Sequence, residues 1–236
     1  MSNLKDLRDL KKSDSFIQAN FIKGFEFIDN AGKLINIYHT STHAPIVEDI
    51  SPAGLTLRDF SQTIDSIRIS NNLLWIKFLP KNFTYSTWVR NFLSELRKVE
   101  DIIHFEKINR IGWRNYFVLE YPNEQYGKAI EKKLSFDPEL QFASHTYTTE
   151  IRSTLLTKET DLRKLLENPD NYFKYIDFKA TLRLEKVVSK EDKKNGLLID
   201  IDLFKDKEMT VADTEIYLNS FIGYLEIGLI DLLKKL

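Results

Sequence analysis

The segment whose side chains are best suited to bind a ligand is rich in basic and aromatic residues and lies near the middle of the chain. Arg110 and Arg114 are four residues apart in a β-prone run, so both leave one face of a strand if Gly112 does not shift the register. Guanidinium groups bind phosphate or carboxylate through paired hydrogen bonds, and aromatic rings stack on bases. The candidate anion- or nucleic-acid-binding residues are Lys107, Arg110, Trp113, Arg114 and Tyr116.

A structural role for the same residues is the alternative. Both arginines would then pair with nearby carboxylates, namely Glu106, Glu120 or Asp101. Trp113 and Ile111 would fill the core from the opposite face of the strand. Gly112 within this strand predicts a bulge or a close backbone approach, and a bulge would separate the two arginines.

Two carboxylates on another strand are weak candidates for a metal site. Asp200 and Asp202 are two residues apart, so both leave the same face of the strand. Metal-dependent phosphoryl chemistry normally needs a third acidic group. Cross-strand ion pairs with Lys179 and Arg183 are the simpler interpretation.

No motif in the sequence indicates a particular enzymatic reaction. The chain contains no nucleophile elbow, no dinucleotide-binding glycine motif, no phosphate-binding loop and no cysteine. We therefore assign no catalytic residue and expect no cofactor. The question of an enzyme stays open, and a non-catalytic protein is favoured.

The C-terminal helix carries apolar residues on two faces. One stripe suits an ordinary core, and the second face predicts burial either between sheets or against another subunit or protein. Glycines within a helix suggest close packing at that face. The candidate interface residues are Tyr217, Ser220, Gly223, Tyr224 and Ile227.

Composition places the chain among globular proteins. It has 236 residues, 42% of them hydrophobic, with 34 basic against 35 acidic residues. This balance argues against a surface tuned as a whole to nucleic acid or anionic lipid. The first residues lack the apolar core of a secretory signal, and no apolar run is long enough to span a membrane, so we expect a cytoplasmic protein.

Residues 1–120 form the first predicted sub-domain. Its elements are a short amphipathic N-terminal helix, a hairpin over 16–42 with its turn at Asp29–Gly32, an irregular link over 43–54, and a hairpin over 64–79. A helix over 85–100, with Trp88, Phe92 and Leu96 on one stripe, and a long strand over 102–120 complete it.

Residues 121–236 form the second predicted sub-domain, unless the two are one continuous domain. After a loop over 121–127 it contains a short helix over 157–167, a hairpin over 176–204 and a C-terminal helix over 210–235. The fold class is α+β: antiparallel sheets, in two similar hairpin-and-helix halves, packed against amphipathic helices that include a long C-terminal one.

Three stretches together resemble an uncharacterised, sporadically distributed bacterial family of roughly this length. They are Tyr85–Trp88 with Phe92, residues 109–116 (Asn-Arg-Ile-Gly-Trp-Arg-Asn-Tyr), and residues 198–204 (Leu-Ile-Asp-Ile-Asp-Leu-Phe) before the last helix. The family strand usually reads Arg-Ile-Gly-Leu-Arg-Tyr, so Trp113 and Asn115 depart from it. The resemblance implies an α+β fold and a bacterial or phage-related setting, and it brings no assigned activity.

Two functions follow as hypotheses. The first is a non-catalytic interaction or scaffold protein of a bacterial accessory or defence-type system, which self-associates through its C-terminal helix. The second is nucleic-acid or nucleotide binding through the face that carries Lys107, Arg110 and Arg114. We expect a homo-oligomer or a protein partner, leave nucleic acid open, and expect no membrane.

Overall fold

A computed structural model of the chain describes residues 10–22, 26–39, 44–80, 84–134, 144–155, 174–188, 195–230 and 233. The predicted N-terminal helix and the predicted short helix over 157–167 lie outside these residues, apart from Leu10. None of the described helices combines the length and apolar character needed to cross a membrane.

The described part contains a single antiparallel sheet. Its strands are β1 (Lys11–Ile22), β2 (Ile46–Ser51), β3 (Gly54–Arg58), β4 (Ile64–Ser70), β5 (Leu73–Phe78), β6 (Lys107–Glu120), β7 (Ser144–Leu155), β8 (Lys174–Val188) and β9 (Asn195–Met209). Their order in the sheet is β2-β3-β4-β5-β1-β6-β9-β8-β7. The α+β class is therefore confirmed, and the expectation of two separate sub-sheets is wrong.

The sheet has two halves, β1–β5 and β6–β9. It is continuous because β1 and β6, the first strand of each half, pair with each other. β1 lies beside β6 at the centre, from Asn20 opposite Arg110 to Asp14 opposite Tyr116. On one side β1 is followed by β5, β4, β3 and β2, and on the other β6 is followed by β9, β8 and β7. In each half the first strand thus lies at the centre, and the remaining strands follow outward in reverse chain order.

The described helices are α1 (Phe27–His39), α2 (Tyr85–Ile103), α3 (Glu124–Lys133) and α4 (Val211–Gly223). The predicted helix over 85–100 is confirmed as α2, where Thr84 caps the first turn by accepting a hydrogen bond from the backbone N–H of Thr87. Trp88 is fully buried and stacks on Phe78 of β5, with ring centroids 5.0 Å apart. This contact fixes the helix layer against one face of the sheet.

The C-terminal helix is shorter as an α-helix than predicted. It starts with a capping box between Thr210 and Asp213, and its α-helical part ends at Gly223. A π-helical turn, Tyr224–Leu229, continues it. The chain after residue 230, except Leu233, lies outside the described part.

The predicted hairpin over 16–42 is wrong. Its first arm is β1, but its second arm and turn form α1, in which Phe27, Ala31, Leu34 and Tyr38 are buried. Their spacing is that of one helical face, so burial of this face outweighed the turn preferences of the residues between them.

Two further stretches differ from expectation. The predicted irregular link over 43–54 contains β2, which pairs around the turn at Pro52 and Ala53 with β3, a strand that starts at Gly54. The predicted loop over 121–127 instead starts α3, because the side chain of Asn123 accepts a hydrogen bond from the backbone N–H of Tyr126. The hairpins around Asn71–Asn72 and between β8 and β9 are confirmed.

Candidate functional site

The two faces of the sheet differ in what covers them. On the inner face lie buried apolar side chains such as Ile17, Ile76 and Ile199, packed under the helices. No described helix covers the central strands on the opposite side, where most alternate residues are half-buried or exposed, with Gly112 and Asp200 as buried exceptions. We call this opposite side the open face.

Strand β6 supplies the central part of the open face. Arg110, Gly112, Arg114 and Tyr116 alternate with the fully buried Ile111 and Trp113. The expected bulge at Gly112 is wrong, because the register with β9 runs without interruption from Arg110 to Glu120 and shifts only before Arg110. The two arginines therefore share one face, as the anion-binding interpretation requires.

Trp113 lies on the other side of β6, in the core. Its indole Nε1–H donates a 2.8 Å hydrogen bond to Oγ of Ser15, which in turn donates to Oδ1 of Asn115. Its ring also meets Tyr85 and Trp88 of α2. Trp113 is thus unable to stack on a ligand at the open face, as the alternation of the strand requires.

Gly112 creates a depression at the middle of the open face. Its cross-strand neighbours are Gln18 on β1 and Phe204 on β9. On its own strand, Arg110 lies two residues before it and Arg114 two residues after it, on the same face. A position without a side chain among larger ones leaves a hollow of about 240 Å³, which we call the central depression. Its lining consists of Phe16, Gln18, Trp75, Arg110, Gly112, Arg114, Tyr116 and Asp202.

Three aromatic rings border the central depression. Phe16 stacks on Trp75 with centroids 5.1 Å apart and meets the edge of Tyr116 at 6.0 Å. Phe16 lies on β1, Trp75 on β5 and Tyr116 on β6, and β1 is between the other two strands in the sheet. All three are only partly buried, so their remaining surface is open to a ligand.

Arg114 is held by a bidentate ion pair. Its Nε and Nη2 donate to the two carboxylate oxygens of Asp200 at 2.8 and 2.6 Å. The Asp200 side chain is only 8% exposed, so the arginine neutralises a carboxylate that water hardly reaches. This hydrogen bonding raises the pKa of Arg114 further above its already high value.

Arg110 is engaged on two sides. Its Nη1 donates to Asp206 at 2.7 Å, and its guanidinium lies over the ring of Phe204, 4.1 Å from the centroid. At the start of β6, the exposed Lys107 pairs with Glu208 at 2.7 Å and does not line the depression.

The predicted ion-pair partners are therefore wrong, although both arginines are paired. The carboxylates come from β9 rather than from Glu106, Glu120 or Asp101. Arg183, which was expected to pair with the β9 aspartates, pairs with Glu185 at 2.9 Å instead.

Asp202 is the under-satisfied member of this cluster. Within the described residues its carboxylate accepts no hydrogen bond, and its one ion pair is with Arg110 at 3.6 Å. Burial raises the pKa of Asp202 above the ordinary 3.8, despite the opposing charges of Arg110 and Arg114. In the described part of the chain, no group of three His, Asp or Glu side chains could hold a metal ion, so Asp200 and Asp202 have no third ligand there.

The candidate interface on α4 is dispersed. Ser220 is buried and donates to the carbonyl of Ile216, while the ring of Tyr224 packs against Phe178 of β8. Gly223 is exposed, and a Cβ there would meet nothing within 4 Å. The expected close packing at Gly223 is thus wrong within this chain. Tyr217 packs partly against the core, and the Ile227 side chain is outside the described part.

Sequence reasoning missed Phe16, Gln18 and Trp75 of the central depression. Their alternation with buried Ile17 and Ile76 could have assigned them to an outward face. Their approach to Arg114 depends on the pairing of β1 with both β5 and β6, for which the sequence offers no local signal.

Comparison with known proteins adds no relative. No protein-family model matches the chain, and no curated protein matches it. The bacterial family resemblance therefore stays a prediction.

Proposed function

We propose that this chain is a non-catalytic interaction protein that binds a protein partner through the open face of its sheet. The observation that carries this proposal is the cluster of Trp75, Tyr116, Arg110 and Arg114 around one depression. Tryptophan, tyrosine and arginine are the residue types that contribute most to protein–protein binding energy. The bacterial accessory or defence-type setting follows from the family resemblance alone.

The proposal moves the expected interface from the C-terminal helix to the sheet. The candidate residues on α4 are spread over buried, half-buried and exposed positions, whereas the central depression gathers its residues from adjacent strands. Self-association remains one form of the proposal, with a second copy as the partner.

Nucleic-acid or nucleotide binding at the same face is the second candidate. The half-exposed Trp75, stacked on Phe16 beside two arginines, supports it, because such rings stack on bases. The ion pairs weigh against it. Around the depression, the carboxylates of Asp200, Asp202 and Asp206 outnumber the two guanidinium groups, so this surface lacks the excess positive charge that phosphates require.

The test blocks the depression without changing charge. Tagged wild-type chain, Gly112→Phe and the control Gly112→Ala are expressed in cells of the source organism and purified with nuclease treatment. The proposal predicts a bound protein that Gly112→Ala retains and Gly112→Phe loses, and whose binding is reproduced with purified components. Retention by Gly112→Phe, or loss on nuclease treatment, would contradict it.

A further inference from the structure

The central depression contains a carboxylate that accepts no hydrogen bond from the described residues. The Asp202 carboxylate lines it, and its Oδ1 would lie 3.8 Å from a Cβ placed on Gly112. The Asp202 side chain is 30% exposed and accepts no hydrogen bond from the described residues, so a guest that donates to it meets a carboxylate already partly removed from water.

Both arginines that line the depression are already paired with carboxylates. Arg114 is committed to Asp200 at 2.6 Å and Arg110 to Asp206 at 2.7 Å. An anionic guest would have to compete with these contacts, whereas a cationic guest meets Asp202, whose ion pair with Arg110 is longer, at 3.6 Å. The cluster of two guanidinium and three carboxylate groups has a formal charge of −1, which also favours a cation.

The aromatic rings suit the same guest. Phe16, Trp75 and Tyr116 border the hollow from three adjacent strands, and the face of an aromatic ring attracts a cation within about 6 Å. Lys77 already lies 5.9 Å from the centroid of Phe16, and Arg114 lies 5.1 Å from that of Tyr116. Among the described residues, Trp75 is therefore the bordering ring with no cation over it. The long methylene stem of a basic side chain also packs well on such rings.

We propose that the central depression receives a basic side chain, the guanidinium or ammonium group of an arginine or lysine presented by the partner protein, which donates to Asp202. This inference rests on the proposed function, since it names the part of the partner that the open face recognises.

The test uses small probes and needs no identified partner. The probes are acetylated and amidated arginine and lysine, the neutral isostere acetyl-citrulline amide, and acetyl-glutamate amide. The readout is the set of tryptophan indole N–H resonances in NMR spectra of the intact chain. Trp75 reports on the depression, whereas Trp88 and Trp113 are fully buried and serve as references.

We expect the arginine and lysine probes, at millimolar concentration, to shift the indole N–H resonance of Trp75 progressively. The resonances of Trp88 and Trp113 should not move. Citrulline and glutamate should have little effect. Asp202→Asn should weaken the binding of the arginine probe by about fivefold or more, which is the loss expected for a charge-assisted hydrogen bond. Glu208→Gln, with the same charge change on the same strand but outside the depression, should bind like wild type.

Three results would overturn the inference: a larger Trp75 shift with glutamate than with arginine, equal binding to wild type and Asp202→Asn, or no shift with any probe. Each would leave the proposed function standing, because Gly112→Phe tests that function independently through the partner.

Discussion

Asp200 and Asp202 are two residues apart on β9 and face the same side of the sheet, yet within the described residues only Asp200 accepts side-chain hydrogen bonds. Asp200 receives both arms of the Arg114 guanidinium, while Asp202 has a single 3.6 Å ion pair with Arg110. The register explains the difference, because Arg114 lies opposite Asp202 but reaches diagonally to Asp200. Among the described residues, the sheet thus places a carboxylate with a bidentate partner beside one with a single, longer ion pair.

This difference predicts opposite effects on stability at pH 7. Asp200→Asn should destabilise the fold by about 1–3 kcal/mol, because it removes a charge-assisted bidentate contact. Asp202→Asn should raise Tm slightly, by about 1–2 °C, because it removes a charge that burial disfavours. Thermal unfolding of the two variants beside wild type measures both effects.

The effect of Asp202→Asn should depend on pH. The pKa of Asp202 is raised in the folded state, so the folded chain binds more protons at this site than the unfolded chain, and wild type loses stability as pH rises above the ordinary 3.8. The advantage of Asp202→Asn should therefore be largest near neutral pH and shrink as pH falls towards 4. A constant difference between pH 4 and 7 would contradict this assignment.

The Arg114–Asp200 pair should show measurable coupling. In a double-mutant cycle with alanine at each position, we expect a coupling energy of about 1–3 kcal/mol, because Asp200 is nearly inaccessible to water. The exposed Lys107–Glu208 pair on the same two strands is the matched control, and it should show no measurable coupling. Equal coupling in both cycles would mean that burial does not strengthen the first pair.

Substitutions at Gly112 should leave the fold intact. A Cβ there would meet Cβ of Phe204 at 3.7 Å, an ordinary contact, so Gly112→Ala should stabilise the chain by about 0.5 kcal/mol through the loss of glycine flexibility. Denaturant unfolding of Gly112→Ala and Gly112→Phe checks this. Destabilisation of Gly112→Ala by more than about 1 kcal/mol would show that the backbone at this position requires glycine.

Two helical glycines should respond in opposite ways to alanine. At Gly127 a Cβ would lie 2.5 Å from the ring of Tyr121, so Gly127→Ala should destabilise by about 1–3 kcal/mol. At Gly223 it would meet nothing, so Gly223→Ala should stabilise by about 0.5–1 kcal/mol. Denaturant titration tests both. A destabilising Gly223→Ala that also lowers the molecular mass in light scattering would restore the C-terminal helix as an interface.

Local patterns in the sequence predicted the elements whose burial follows one period. Trp88, Phe92 and Leu96 repeat every four residues and specify α2, and the alternation of β8 and β9 specifies their pairing. Alternation also places Arg110 and Arg114 on one face. In α1 the period was present, but Asn30 and Gly32 favoured a turn, and burial of Leu34 and its neighbours decided the outcome.

The remaining features depend on strand order, which local patterns do not contain. β9 has two neighbours, and the sequence shows only the adjacent one, β8. The partner of Asp200 was therefore sought at Lys179 or Arg183, while the structure places Arg114 of β6 there. The approach of Phe16 to Trp75 and Tyr116 depends in the same way on the central position of β1.

The central claim is that the open face, rather than the helix layer, contacts the partner. Site-specific photo-crosslinking in cells tests it most directly, with the photoreactive residue placed either at Gln18 in the central depression or at the exposed Asn219 on α4. We predict a discrete, nuclease-resistant protein adduct from Gln18 and none from Asn219. An adduct from Asn219 alone, or a Gln18 adduct that nuclease removes, would contradict the claim.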